Sequence, residues 1–246
     1  NFFSLFKRNI IYQIKKKTSI DNDNLNKKSL DELFHHYGSD KADIFKKRNS
    51  KGHGYSKFYS KYLDNLKNKN INILEIGSYA GASAAAFTQY FPKAKIFCFD
   101  INISNFEYKS KKIYVHGIDI NNEKKVQKIL NKIFDEHNFN FFDLIIDDGS
   151  HNLSDILFSF NFFFKYLKND GTFIIEDFKH PNYYEYNRNI DHILIDDLLK
   201  NIENKKFFTS SIINEKNQKE LMDLIKKIDV SKGNLTDSDI CFIKKK

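Results

Sequence analysis

Two short polar segments of this sequence hold the side chains best suited to chemistry. The segment IIDDGSH covers residues 145–151, and the segment IIED covers residues 174–177. In each, an apolar run typical of a buried strand ends in carboxylates. Neighbouring strands lie about 4.8 Å apart, so the acids at the ends of two such strands converge above one edge of a sheet. Four carboxylates in so small a region repel one another unless a cation is present.

The composition of this acidic group predicts the kind of cation. The donors are all oxygens and no cysteine stands among them, which favours a hard ion, Mg²⁺ or another divalent cation. We predict Asp148, Glu176 and Asp177 as the metal ligands, with Asp147 pointing back toward a cofactor. Adjacent residues of a strand point to opposite faces, so Glu176 and Asp177 share one ion only if the strand has ended there.

His151 follows Asp148 by three residues, a spacing that lets both side chains face the same side of a turn. A neutral histidine is a suitable general base, and a hydroxyl beside a divalent ion is acidified. We therefore predict that His151 removes a proton from an acceptor hydroxyl. The plainer interpretation stays open: two acids at the start of a helix, Ser150 as a helix cap, and His151 as a structural residue.

A glycine-bearing loop follows an earlier apolar run, in the order Glu75-x-Gly77-x-x-x-Gly81. It lacks the close glycine pair that admits a pyrophosphate, and Glu75 disfavours an anion. The next predicted strand ends at Asp100, 25 residues after Glu75, where a carboxylate is suited to accept hydrogen bonds from ribose hydroxyls. A nucleoside with an amino-acid tail and no phosphate fits this pattern. The alternative is that the loop is only a turn.

The apolar runs alternate with helical stretches, a pattern typical of a doubly wound α/β sheet. Strands are predicted at residues 71–76, 95–99, 113–116, 144–147, 172–176, 207–213 and 239–243. Helices are predicted near residues 82–90, 122–136, 153–167, 190–202 and 215–228. The fold class that follows is a Rossmann-like, mostly parallel, seven-stranded sheet with helices on both faces and an N-terminal helical cap. Periodicity does not decide how the last two strands pair, and an antiparallel arrangement stays open for them.

The run LEIGSYAGAS at residues 74–83, followed by FCFD at 97–100, resembles the cofactor motif of class I S-adenosylmethionine-dependent methyltransferases. The resemblance implies S-adenosyl-L-methionine as cofactor and assigns a role to several residues. Asp100 would hold the ribose and Asp119 would lie near the adenine. The residues that would line the methionine part are Glu75, Gly77, Ser78 and Ser83.

A narrower resemblance joins these motifs to IIDDGSH, IIED, YGSDK (residues 37–41) and HGYSKFY (residues 53–59). Together they are similar to the metal-dependent O-methyltransferases that act on the sugars of macrolide antibiotics. That resemblance implies His151 as the base and the same three metal ligands. It also places a cap over the active site, with Asp40, His53 and Tyr55 as candidate substrate contacts.

Composition narrows the alternatives. The net charge of +8 comes almost entirely from lysine, and arginine stands only at positions 8, 48 and 188, which disfavours nucleic-acid recognition. No apolar run reaches the ~20 residues of a transmembrane helix, and Cys98 and Cys241 lie in apolar runs as core thiols do. We therefore expect a cytoplasmic protein.

Two domains are expected: residues 1–66 as basic helix, linker and cap, and residues 67–246 as the cofactor-binding domain. The opening residues have helical apolar spacing and predict an amphipathic helix. That helix is a candidate contact with a second copy or with the rest of a longer chain, and a membrane-surface role is an alternative.

The predicted function is methylation of a hydroxyl on a nucleotide-linked sugar, a surface polysaccharide or another glycoside. The acceptor pocket is expected to involve HPNYYEYNRNI at residues 180–190. Two alternatives stay open: methylation of a catechol-like small molecule, and a non-catalytic module that binds the cofactor and a partner protein.

Overall fold

The computed structural model describes residues 2–246, with only the backbone of Phe2. Asn1 and the Phe2 side chain, both part of the predicted basic segment, lie outside the described part. The chain divides into two compact units. The first runs to Asn140 and includes Gly233–Leu235, and the second comprises Phe141–Lys232 and Thr236–Lys246. The boundary predicted near residue 66 stays a prediction.

The first unit begins with the predicted N-terminal helix and continues with short hairpin strands and α/β elements. Its helices are α1 (Phe2–Ile14), α2 (Leu30–Tyr37), α3 (Ser56–Leu63), α4 (Ala82–Tyr90) and α5 (Glu123–His137). Its strands are β1 (Thr18–Ser19), β2 (Ile44–Phe45), β3 (Ser50–Lys51), β4 (Asn72–Ile76), β5 (Lys95–Asp100), β6 (Tyr108–Lys109) and β7 (Ile113–Gly117).

Local sequence explains how two of these helices begin. Ser29 and Glu32 form a reciprocal capping box at the start of α2, which satisfies backbone N–H groups that the helix leaves unpaired. The side chain of Asn122 accepts a hydrogen bond from the N–H of Lys125 at the start of α5. Helix α4 is buried along its whole length, which fits the small residues of its ASAAAF sequence.

The second unit begins with the strand that leads into the predicted metal site. Its strands are β8 (Phe142–Asp147), β9 (Leu167–Glu176), β10 (Ile225–Lys232) and β11 (Asp239–Lys245). Its helices are α6 (Leu153–Phe163), α7 (His180–Tyr183), α8 (Ile195–Glu203) and α9 (Glu215–Leu224). Strands β8 and β9 are parallel, and β11 pairs antiparallel with both β9 and β10.

Seven strands form one sheet in the order β10-β11-β9-β8-β4-β5-β7. Strands β4, β5 and β7 pair in parallel. Side chains from the sheet and its helices form the core, including Phe97, Ile145 and Phe173, each fully buried. This is the mostly parallel, Rossmann-like α/β fold predicted from the alternation of elements, and that prediction is confirmed. The antiparallel pairing of the last two strands is also as the pattern allowed.

The prediction of a strand at residues 207–213 is wrong. This segment has no regular structure, and Phe207 is 58% exposed. Its backbone groups are satisfied by side chains instead. The amide of Gln218 donates to the carbonyls of Phe208 and Ile213, and the N–H of Ser211 donates to Asp191.

The remaining strand of the sheet is instead β10, and its residues 225–228 were predicted as the end of a helix. Apolar residues at 221, 222, 225 and 228 continue a helical spacing, but α9 ends at Leu224. Seven residues of β10 pair with β11, so tertiary hydrogen bonding decides against the local pattern.

Candidate active site

The predicted cofactor loop lies in the first unit, between β4 and α4, as expected for a strand–loop–helix motif. Gly77 and Gly81 have φ angles of 84° and 76°, in the left-handed region that favours glycine. A Cβ at position 81 would lie 2.4 Å from the ring of Phe106. Gly81 is therefore required both by its backbone conformation and by close packing. It ends the loop and begins the helix.

Glu75 is fully buried near the end of β4 and accepts a hydrogen bond from the hydroxyl of Ser83 on α4. Ser78 is also buried, and its hydroxyl donates to the backbone carbonyl of Glu75 at 3.3 Å. The structure thus brings together three residues of the predicted cofactor set. A buried carboxylate near the end of a strand, followed by a tight loop, is a site suited to a cationic ligand.

Asp100 ends β5 beside the same loop. One of its carboxylate oxygens accepts the N–H of Tyr79 at 2.7 Å, and the other accepts the N–H of Asn102 at 2.6 Å. The backbone N–H of Gly77 donates to the carbonyl of Phe99, which also holds the loop to β5. A carboxylate has about four acceptor positions, so Asp100 retains capacity for ribose hydroxyls. The hydrogen-bond acceptors at this loop therefore fit a phosphate-free nucleoside.

Tyr79 was not among the predicted site residues, although its main-chain N–H donates a hydrogen bond to Asp100. Its φ of 42° is unusual for a residue with a side chain, and its side chain is 66% exposed. The sequence contains no signal for this role, because a main-chain N–H is present at every residue except proline.

Asp119 follows β7, and its carboxylate accepts the N–H of Asn121 at 3.0 Å. It lines an open cavity of about 760 Å³ with residues of the α5 start, including Asn122 and Gln127. No residue of the glycine loop lines that cavity among the described residues. The adenine contact at Asp119 stays a prediction.

The predicted cap residues lie close together within the first unit. The N–H of His53 donates to the carbonyl of Asp40 at 2.7 Å, and the rings of His53 and Tyr55 are 5.2 Å apart. A Cβ at Gly52 would lie 2.6 Å from the Asp40 carbonyl, so this turn requires glycine. Tyr55 is completely buried, as a core residue is, whereas Asp40 is exposed. Their contact with a substrate stays a prediction.

The predicted metal and base residues lie in the second unit, after β8 and β9. One ligand atom each of Asp148, His151 and Asp177 lies within 4.8 Å of the other two. Nε2 of His151 is 3.8 Å from an oxygen of Asp148 and 3.9 Å from an oxygen of Asp177. These separations exceed hydrogen-bond lengths. A cation about 2.1–2.4 Å from each ligand would span such a group, so the donors fit a divalent ion.

The backbone at this cluster is strained. His151 and Asp177 have φ angles of 56° and 50°, in the left-handed region that side-chain-bearing residues rarely adopt. Such conformations cost on the order of 1–3 kcal/mol each and concentrate at functional sites. The strand has ended before Asp177, which is the condition set for Glu176 and Asp177 to serve one ion.

Glu176 and Asp147 are placed differently from these three residues. Glu176 ends β9, is 1% exposed, and is paired in register with Ile240 of β11. It is not one of the three grouped ligands, and its role at the metal stays a prediction. Asp147 accepts the N–H of Gly149 at 3.2 Å, and burial raises the pKa of its carboxyl to about 7. Its part in cofactor binding also stays a prediction.

His180 also lies beside this cluster. The sequence predicted only its segment, residues 180–190, as part of the acceptor pocket. Its ring lies 5.6 Å from that of His151 and 4.6 Å from that of Tyr184. Nδ2 of Asn187 donates to Nδ1 of His180 at 2.8 Å. Burial, together with the neighbouring His151, lowers the pKa of His180. The sequence gives no individual signal for His180, because a lone histidine after a strand has many uses.

Comparison with known proteins agrees with this fold and these motifs. Residues 74–178 match a family model described as a methyltransferase domain. The predicted resemblance to macrolide-sugar O-methyltransferases is confirmed. The chain is 30% identical over 132 residues to L-olivosyl-oleandolide 3-O-methyltransferase of Streptomyces antibioticus. It is 25% identical over 132 residues to mycinamicin VI 2''-O-methyltransferase of Micromonospora griseorubida. Each alignment covers 51% of this chain but only 32% and 31% of those proteins.

A solved structure shows the same fold over most of the chain. MycE, a methyltransferase of the mycinamycin biosynthetic pathway in complex with Mg and SAH, matches with a TM-score of 0.67 and 21% identity. The match covers 89% of this chain and 55% of MycE. The chain thus spans about a third of the curated relatives' length and about half of the structural relative's. In the described residues, no helix is both long and apolar enough to cross a membrane.

Proposed function

We propose that this chain is an S-adenosylmethionine-dependent O-methyltransferase that requires a divalent metal ion, with Mg²⁺ the first candidate. Its acceptor is the hydroxyl of a sugar, in a nucleotide-linked form, a polysaccharide or another glycoside. The observation that carries the proposal is the cluster of Asp148, His151 and Asp177, two acids and a base at strand ends. The methyltransferase domain and the names of the sugar O-methyltransferase relatives support it.

The cofactor is assigned to the first unit. The buried Glu75, the loop from Gly77 to Gly81 and Asp100 would hold S-adenosylmethionine, with its methionine part beside Glu75 and its ribose on Asp100. S-adenosylmethionine supplies a methyl group made electrophilic by its positively charged sulfur. MycE, which shares the fold, is described in complex with SAH, the demethylated form.

Asp148 and Asp177 hold the metal in this proposal, with Glu176 as the third carboxylate. A bound divalent ion supplies positive charge, which lowers the pKa of hydroxyl groups next to it. MycE is also described with Mg. Two vicinal hydroxyls of a sugar suit such a site because both can approach the same ion.

His151 takes the proton. Its Nε2 accepts the hydrogen of the acceptor hydroxyl while the hydroxyl oxygen forms its bond to the methyl carbon. Bound S-adenosylmethionine would supply the methyl group, and its sulfur would keep the electron pair of the broken carbon–sulfur bond. The products are a methyl ether, neutral S-adenosylhomocysteine and protonated His151. Holding the reactants in line supplies much of the acceleration.

A methyl-transfer screen tests this function. The purified chain is incubated with S-adenosylmethionine, Mg²⁺ and a panel of nucleotide-linked sugars, glycosides and catechols, and products are read by mass spectrometry. We expect a methylated sugar that disappears when EDTA is added. A catechol product alone would replace the acceptor class. Binding of neither S-adenosylmethionine nor S-adenosylhomocysteine by calorimetry would reject the methyltransferase assignment itself.

We place this activity in the cytoplasm. The two free thiols, Cys98 and Cys241, are fully buried as in proteins of a reducing compartment. Burial raises the pKa of the Cys241 thiol to about 12, which keeps it protonated and unreactive.

A further inference from the structure

Helix α1 is attached to the first unit by the polar side of its amphipathic surface. Arg8 donates to the carbonyl of Ile101 at 3.1 Å, and Nζ of Lys15 donates to the carbonyls of Ser104 and Asn105 at 3.1 and 3.0 Å. These acceptors follow β5. The contacts are therefore made largely by charged side chains and backbone carbonyls.

Two further residues complete the attached side. The ring of Tyr12 packs edge-on against Phe106 at 6.3 Å. Asn9 lies so close to β7 that a Cβ at Gly117 would come within 2.7 Å of its amide. At 3.6 residues per turn, residues 8, 9, 12 and 15 lie on one side of the helix. That side faces the protein.

The opposite side of α1 exposes its large apolar residues. Phe6 is 57% exposed, Ile10 46% and Ile14 79%, and they follow one another at spacings of four residues. Phe3 and Ile11 flank them at 79% and 36% exposure. In an ordinary surface helix the apolar stripe faces the core. Here the arrangement is inverted, so α1 presents an apolar stripe to its surroundings.

The charged residues of α1 and of the six residues after it are all of one sign. Residues 1–20 contain Lys7, Arg8, Lys15, Lys16 and Lys17 and no acidic residue. Lys7 and Lys16 are exposed. Arg8 and Lys15 bond to carbonyls, which leave their charge in place. Burial, with the charges of Lys15 and Lys109, lowers the pKa of Lys17, so further positive charge is nearby.

We propose that α1 is a membrane-surface helix that docks this chain on an anionic lipid bilayer. Its apolar stripe enters the boundary between headgroups and acyl chains, and the exposed Lys7 and Lys16 lie among the acidic headgroups. Charge complementarity selects this occupant. A second copy of α1 would bring two stripes flanked by the same positive charges together, with no acidic residue in either segment to compensate.

Vesicle binding tests this proposal directly. The chain contains no tryptophan, so Phe6→Trp places a single reporter in the stripe. With vesicles of phosphatidylcholine containing about 30% phosphatidylglycerol, we expect its emission to move to shorter wavelength, as an apolar environment requires. Pure phosphatidylcholine vesicles should bind at least about tenfold more weakly, and high salt should release the protein. No emission shift and no co-flotation with anionic vesicles would overturn the proposal.

Two pairs of substitutions separate the apolar from the charged contribution. Phe6→Asp with Ile10→Asp should weaken vesicle binding at least about tenfold, since charges would enter the apolar boundary. Lys7→Glu with Lys16→Glu should reduce binding to anionic vesicles by a similar factor. Phe207→Asp, a matched change at a 58% exposed apolar residue of the second unit, should leave binding unchanged.

The competing occupant gives a different result. Light scattering that shows a concentration-dependent dimer, dissolved by Phe6→Asp with Ile10→Asp, would overturn the lipid assignment if vesicles are not bound. Unchanged melting temperatures of the variants confirm that they fold, which is expected because the altered side chains are exposed. Methyl transfer plays no part in any of these measurements.

Discussion

Nε2 of His151 lies 3.9 Å from a carboxylate oxygen of Asp177, although 26 residues separate them along the chain. Both residues have positive φ angles, and each follows the end of a different parallel strand. The juxtaposition is therefore made by the register of β8 and β9 and held at a cost in backbone strain. It is the geometric basis of the proposed metal and base site.

The first prediction concerns metal binding. Asp148→Asn and Asp177→Asn should each weaken Mg²⁺ binding more than about tenfold, because each removes a charged oxygen ligand. Calorimetry with Mg²⁺ measures this, and electron paramagnetic resonance with Mn²⁺ provides a second reading. The matched control is Asp143→Asn. Asp143 lies at the start of β8, and its carboxylate forms an ion pair with Lys168. Equal affinities for all four proteins would exclude a metal at this cluster.

Glu176→Gln decides which carboxylates form the site. We expect it to weaken Mg²⁺ binding as strongly as Asp177→Asn, since Glu176 is predicted as the third ligand. Unchanged affinity would instead leave the geometric trio of Asp148, His151 and Asp177 as the donors. The side chain is 1% exposed, so melting temperatures must accompany the affinities.

The role of His151 as base gives a kinetic prediction. His151→Asn should lower kcat about 10²–10⁴-fold, the usual contribution of a positioned base, with KM for S-adenosylmethionine nearly unchanged. Asparagine tolerates the left-handed backbone conformation, so the fold should be preserved. His192→Asn, at an exposed histidine of the same unit, serves as control. If His151→Asn abolishes Mg²⁺ binding, the residue is a ligand rather than the base.

Asp100 should be a determinant of cofactor affinity. Asp100→Ala should weaken S-adenosylhomocysteine binding by about 1–3 kcal/mol, about 5- to 150-fold, because charge-assisted hydrogen bonds are lost. The loop also loses the bond that holds Tyr79, so the effect should reach the upper half of that range. Calorimetry compares this variant with Asp135→Ala on the exposed side of α5. An unchanged dissociation constant would contradict the assignment.

The lowered pKa of the largely buried His116 gives a prediction for the pH dependence of the unfolding free energy. Burial lowers the pKa of its imidazole from 6.5 to about 4, its ring packs edge-on against Phe99, and no described residue hydrogen-bonds Nε2. The unfolded chain therefore binds more protons between these two values. The contribution of His116 to stability should fall by about 3 kcal/mol as pH drops from about 6.5 to about 4, and no further below. Asp147 contributes in the opposite direction over this interval, because burial raises the pKa of its carboxyl to about 7 in the folded state.

Replacing the titrating group isolates this contribution. The difference in unfolding free energy between His116→Gln and the wild type should change by about 3 kcal/mol over that interval, while the exposed His192→Gln should follow the wild type at every pH. Urea unfolding at several pH values gives the measurement. A pH profile of His116→Gln that parallels the wild type would show that other groups cause the acid lability.

Local sequence was sufficient to predict an element or a site residue where the whole pattern lies within one short segment of the chain. The helix at residues 82–90 was predicted with its observed bounds, and the acids near the ends of five parallel strands were identified as candidate site residues. The reason is physical: a short buried strand needs a run of apolar residues, and a ligand loop after it needs glycine. Both requirements are visible in single segments such as LEIGSYAGAS.

Tertiary structure decided what depends on pairing between distant segments. Residues 225–228 continue a helical spacing, yet they form the first half of β10 because β11 offers them a ladder of hydrogen bonds. The register of strands groups His151 with Asp148 and Asp177, and burial gives Asp147 and His116 their shifted pKa values. By itself the sequence determined the α/β class and the candidate site residues. Which of them meet, and which face of α1 remains exposed, depends on packing and solvent exclusion, which no local pattern encodes.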